Sequence, residues 1–172
     1  SHNIYELIEK INPELIEKIH ILNVYNENEA DILLFLKHIA KEVGIKQKYI
    51  LFRTTRTVNL NNNSIQFTNK DLSLIDKNLV NRYITSVNID ETFEPLLFNY
   101  GTSKITLKNL ETNEFLKLET EQNFTSKIDI NFVIEFQLLM KDELPIYMEN
   151  LTGLMFKKIF HNLKQFIDTL GK

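Results

Sequence analysis

IDINFVIEFQLLM, residues 128–140, carries an apolar side chain at every even position: Ile128, Ile130, Phe132, Ile134, Phe136, Leu138 and Met140. Asp129, Asn131, Glu135 and Gln137 keep the odd positions polar, and only Val133 and Leu139 interrupt them. A period of two over this length predicts an antiparallel strand with one dry face. A dry face needs a cover. The chain supplies one after Pro145, where Leu151, Leu154, Met155, Phe156, Ile159, Phe160, Leu163, Phe166, Ile167 and Leu170 spread over well more than a third of a helix circumference. A helix that apolar must be embedded in something.

Upstream of this strand the period of two recurs. Ile50 to Leu60 and Ile65 to Phe67 flank Asn61-Asn62-Asn63-Ser64, residues that tolerate turn geometry. Lys104–Asn109 and Phe115–Thr120 read as a second hairpin around Glu111-Thr112-Asn113, with Ile105, Leu107, Leu116 and Leu118 on its buried side. Tyr83–Ile89 and Leu96–Phe98 read as shorter strands, and Asp71–Asn81 as a short helix carrying Leu72, Ile75 and Leu79.

The first 45 residues read as helices. Ile4, Leu7, Ile8 and Ile11 have helical spacing, and Asn12-Pro13 resembles an N-cap with proline at the first helical position. Leu15, Ile16, Ile19 and Leu22 extend the pattern, and a third helix is predicted from Asn28 to Val43, ended by Gly44. The expected fold is therefore α+β in a single domain. A helical N-terminal third spans 1–45, and an antiparallel meander of about five to seven strands spans 46–141, with a short helix near 71–81. A long C-terminal helix over 145–172 packs on the sheet.

Composition excludes several classes of function. A net charge of −3 provides no global basic field to gather nucleic acid or acidic lipid. The chain has no cysteine, which removes thiol catalysis, disulfides and Cys-ligated metal. There is no apolar signal segment and no transmembrane-length apolar run. The expected compartment is intracellular, the cytoplasm or, for a viral protein, the host cytoplasm. Abundant isoleucine, asparagine and lysine point to an AT-rich genome.

Against that background the arginines stand out: two of the three, Arg53 and Arg56, lie three positions apart in one predicted strand. The pleat sends them to opposite faces. Arg53 reads as an ordinary surface charge. Arg56 shares its parity with Ile50, Phe52, Val58 and Leu60, so its guanidinium would project from the apolar face, where a lone charge is costly. Three arrangements would resolve that cost. The arginine pairs with a carboxylate, it anchors a ligand in a cavity, or a bulge between Thr54 and Thr57 turns it outward.

Catalytic constellations are missing. The glycines are scattered, His20, His38 and His161 are isolated, and no metal-ligand spacing or nucleophile elbow occurs. Neither an enzyme nor a cofactor is expected. Asp90, Glu91 and Glu94 lack the alternation of a calcium loop.

From Ile128 onward, the alternating strand, the Leu144-Pro145 step and the phenylalanine-rich helix resemble the close of the START-like helix-grip superfamily. The resemblance covers roughly the last 45 residues. It implies a sheet curled around the terminal helix to enclose a cavity for lipids or other apolar ligands, and it carries over no catalytic residue.

The resulting expectation is a non-enzymatic binding domain for an apolar small molecule or lipid. Phe52, Phe132, Phe136, Phe156 and Phe160 would line its cavity, with Arg56 as the polar anchor. The alternative is a structural or protein-interaction module, viral or parasitic, docking a partner or a second copy as a homodimer. A third reading is a single-stranded nucleic-acid binder, which the charge and the inward parity of the aromatics disfavour.

Overall fold

The computed structural model describes residues 3–38, 41–61, 64–109, 130–140 and 146–170. Among these residues the architecture is mixed α+β. The strands are β1 (Ile16–Asn26), β2 (Glu29–Leu36), β3 (Gln47–Asn59), β4 (Ser64–Asp71), β5 (Phe93–Pro95), β6 (Phe98–Asn109) and β7 (Ile130–Met140). The helices are α1 (Asn3–Ile11), α2 (Lys77–Ser86) and α3 (Ile146–Leu170). Six strands run antiparallel in the order β1-β2-β3-β4-β6-β7, and β5 adds a short parallel pairing beside the start of β3. None of these helices is long and apolar enough to cross a membrane.

The alternating stretch forms β7, paired to β6 through Ile105↔Ile134 and Leu107↔Phe132. Lys104–Asn109, expected as one arm of a hairpin with Phe115–Thr120, lies in β6. Residues 115–120 and Ile128 lie outside the described residues, as do the tip residues Asn62 and Asn63.

The helical N-terminal third is corrected: among its described residues α1 is the one α-helix, with a 3-10 turn at Lys41–Val43. Asn12 stands at its C-terminal end, where Nδ2 donates to the Ile8 carbonyl at 2.9 Å, and Pro13 stops the helix. Residues 16–26 are a strand. Their three-residue spacing of Ile16 and Ile19 comes from a register irregularity between Ile16 and Lys18, which returns both side chains to the same face. A bulged strand thus imitates helical spacing. β2 misleads differently: as an inner strand it is buried on both faces from Ala30 to Leu36, so its apolar run has no period to read.

The Asp71–Asn81 segment divides into a 3-10 turn at Leu72–Leu74 and the start of α2. Asp76 caps α2 by accepting from the Asn78 and Leu79 N–H groups at 2.9 and 3.0 Å. The expected strand at Tyr83–Ile89 is corrected, since α2 runs to Ser86. Leu79, Val80, Tyr83 and Val87 recur at helical intervals and pack on the sheet.

Each face of the sheet has its own core. On one face Ile16, Ile19, Ile32, Leu34, Ile50, Phe52 and Phe98 meet Tyr5 of α1 and Met155 and Ile159 of α3. On the other, Leu33, Phe35, Tyr49 and Leu51 meet Leu72 and the apolar side of α2.

Glu9 ties α1 to the sheet edge: one carboxylate oxygen accepts the outward Ile19 N–H of β1 at 2.7 Å and the other accepts Lys18 Nζ at 3.0 Å. Burial acts to raise the Glu9 pKa, but these bonds and the Lys18 charge outweigh it and hold the carboxyl below its usual range. A carboxylate held low in the folded state stabilises above its unfolded pKa and loses that contribution as pH falls through the folded value. Glu9→Gln is therefore expected to cost under about 1 kcal/mol near neutrality. Urea midpoints at pH 6 and pH 3 should show a smaller acid-induced loss for the variant than for the wild-type chain.

Candidate functional site

Between the sheet and the two helices α1 and α3 lies a cavity of about 100 Å³, partly enclosed and partly open to solvent. The pleat decides what lines it. Even positions of β3 place Ile50 and Phe52 there. Pairing of β3 with β4 carries the same face to Phe67 and Asn69, and β4 with β6 carries it to Gly101, Ser103 and Ile105. Helix α1 contributes Ile4, Tyr5 and Ile8, and α3 contributes Phe156, Ile159, Phe160 and Leu163. Phe52 is the floor, with its ring centroid 6.1 Å from Tyr5 and 6.4 Å from Phe98.

The cavity is overwhelmingly apolar, and none of the described residues lining it carries a charge. Tyr5 donates from its hydroxyl to Thr54 Oγ1 at 2.7 Å. Burial pushes the Tyr5 phenol up to about 12, despite the opposing effect of that bond. It remains neutral at any physiological pH. Asn69 differs from its neighbours: its Oδ1 is buried and has no hydrogen-bond partner.

Three of the residues expected to line a cavity do so: Phe52, Phe156 and Phe160. Phe132 and Phe136 sit in β7 at register positions across from Leu107 and Ser103, and their side chains lie outside the described residues. Arg56 does not line the cavity. It stands farther along the same face of β3, where Nε and Nη2 donate to Asn28 Oδ1 at 3.0 and 2.8 Å. Its own backbone N–H donates to the Asn28 carbonyl at 2.7 Å. The arginine thus braces the β1–β2 turn through a neutral amide and anchors neither a carboxylate nor the cavity. Sequence reasoning missed Asn69 and Ser103. For Asn69 the signal was present: it continues the parity of Ile65 and Phe67 and is a polar residue at an inward position.

Arg53, read from sequence as a surface charge, is corrected as well. It lies directly across from Asp31, a fully buried carboxylate on β2. Arg53 Nε donates to Asp31 Oδ1 at 2.7 Å and Nη2 to Oδ2 at 3.1 Å, a two-pronged pair. Tyr25 and Tyr83 donate their hydroxyls to Asp31 Oδ2 at 2.8 and 3.0 Å. The Arg53 guanidinium also stacks 4.3 Å from the Tyr25 ring centre. Burial and the bond to Asp31 push the Tyr83 phenol well above its ordinary value.

This cluster joins β1, β2, β3 and α2 at the bottom of an open groove that also contains Arg82. The groove does not favour an anion. Asp31 answers Arg53, Glu29 stands 3.9 Å from it, and Asp76 lies on the same rim. The cluster acts as a structural tie.

Among the described residues no three His, Asp or Glu side chains converge to hold a metal ion. No protein-family model matches the chain, and no curated protein matches it in sequence.

Proposed function

We propose that the chain is a non-enzymatic binding domain that takes a small apolar molecule between its sheet and its two covering helices. The observation that carries this reading is the cavity itself, an uncharged space walled by Phe52, Phe98, Phe156, Phe160 and aliphatic side chains. Close-packed interiors leave few voids larger than a water molecule, and dry apolar voids take up apolar guests. Its polar groups fix orientation, a division usual in ligand sites.

Size limits the guest. The cavity of about 100 Å³ is smaller than the ~150 Å³ engineered void that binds benzene. A single six-membered ring is the largest body it holds with modest side-chain adjustment, and a longer tail would leave by the open side. The helix-grip resemblance implies a cavity of this kind and adds to the reading without carrying it.

Thermal melts with benzene and toluene test the proposal. Ligand that binds only the folded state raises the melting temperature with concentration, by mass action. The reading expects such a rise, saturating at one site per chain. Melting temperatures that stay flat or fall across the soluble range of both hydrocarbons would overturn it.

A further inference from the structure

We infer that the natural guest is a neutral hydroxyl compound, an alcohol or phenol, whose hydroxyl docks on Asn69 and Ser103 while its apolar body fills the space beneath α3. The inference rests on the cavity reading above and specifies the chemistry of its ligand.

The first reason is the unpaired amide oxygen. Asn69 Oδ1 is buried without a partner, in a wall whose other members are almost all hydrocarbon. An unsatisfied buried acceptor is costly, and native structures seldom keep one unless something else completes it. The strand register sets small residues beside it. Gly101, which has no side chain, is the residue directly opposite Asn69, and Ser103 stands opposite Phe67, one diagonal step away. In the inferred arrangement the ligand head sits over Gly101, with Asn69 on one side and Ser103 on the other.

The second reason fixes the type of head group. The two ends of an amide are a donor and an acceptor on one group that can turn over, and a serine hydroxyl also does both. A ligand hydroxyl, which likewise gives one hydrogen bond and accepts others, satisfies Asn69 in either orientation. A carboxylate or phosphate does not suit the site. No lysine, arginine or histidine is among the described residues of the lining, and Arg56 is held by Asn28 outside it. An anion buried there would have no countercharge.

Phenol and toluene, nearly identical in shape, separate the two levels of the claim. From water, a purely apolar cavity favours toluene, because burying the phenol hydroxyl unpaired is penalised. The inference predicts that the wild-type chain binds phenol at least as tightly as toluene by calorimetry. Asn69→Leu should weaken phenol relative to toluene by about tenfold or more, while toluene binding persists. Ser103→Ala should shift the ratio in the same direction by a smaller factor, and it serves if the Asn69 variant does not fold. Benzoate at pH 7.5 should bind far more weakly than phenol. Wild-type preference for toluene, or a phenol-to-toluene ratio that neither substitution changes by more than about twofold, would overturn the hydroxyl assignment and leave the cavity reading standing. Failure of both compounds to bind the wild-type chain would overturn both.

Discussion

Arg53→Met is expected to remove about 3–5 kcal/mol of folding stability, among the largest losses available to a single substitution in this chain. The reason is the asymmetry of the pair it breaks. Asp31 is fully buried, whereas the Arg53 side chain keeps about a fifth of its surface exposed (21%). Taking away the arginine leaves a deeply set carboxylate without its countercharge, with the Tyr25 and Tyr83 hydroxyls still donating to it. Taking away the carboxylate instead, in Asp31→Ala, leaves a guanidinium that can rehydrate, so the loss should be smaller, about 3 kcal/mol. Replacing both with apolar residues, Asp31→Leu with Arg53→Met, should recover much of the loss, because no unpaired charge remains. Urea unfolding of the three variants at constant m-value measures this. Equal, near-zero effects would mean that the pair is solvated and holds nothing.

Phe52→Ala is the second large effect, also about 3–5 kcal/mol. Phe52 is buried on the central strand β3 between Tyr5 and Phe98, so truncation removes ring contacts to α1 and to β6 and enlarges the existing cavity. The enlarged space gives the prediction its second part. Benzene should raise the melting temperature of Phe52→Ala by more than that of the wild-type chain, since a benzene-sized void is created where the ring stood. A variant destabilised to the expected extent yet indifferent to benzene would mean that the site collapses on truncation.

How much of this could be read from the residues depended on what each strand faces. β7 was legible because its residues alternate in the sequence, and β3 because the alternation survives beyond Phe52, although Tyr49–Phe52 are buried on both faces. The parity rule also placed Arg53 and Arg56 on opposite faces, and the register agrees. β1 was illegible because its register irregularities shift the apolar residues to helical intervals. β2 was illegible because helices cover both its faces, so nothing polar marks a side. The one fully buried polar residue in that strand, Asp31, was the clue to Arg53: a carboxylate inside EADILLFL requires a partner, and its partner is a cross-strand neighbour 22 residues away in sequence. Such pairings follow from register, which neither residue reveals alone.

Of the residues expected on a cavity wall, Phe52, Phe156 and Phe160 line the space between sheet and helices, and Arg56, expected as its polar anchor, does not. Arg56 has the inward parity yet lies too far along β3, where the β1–β2 turn claims it through Asn28. Asn69 was reachable by extending the alternation of β4 beyond Phe67. The Gly101 and Ser103 positions beside it depend on the pairing of β4 with β6, across a helix and a short strand.

Crystals of the wild-type chain pressurised with xenon would reveal the cavity itself, because xenon enters dry, reachable apolar voids without needing a polar handle. A xenon peak bounded by Phe52, Phe98, Phe156 and Ile159 is expected. Side chains meeting across that space, with no xenon between the sheet and α3, would contradict it.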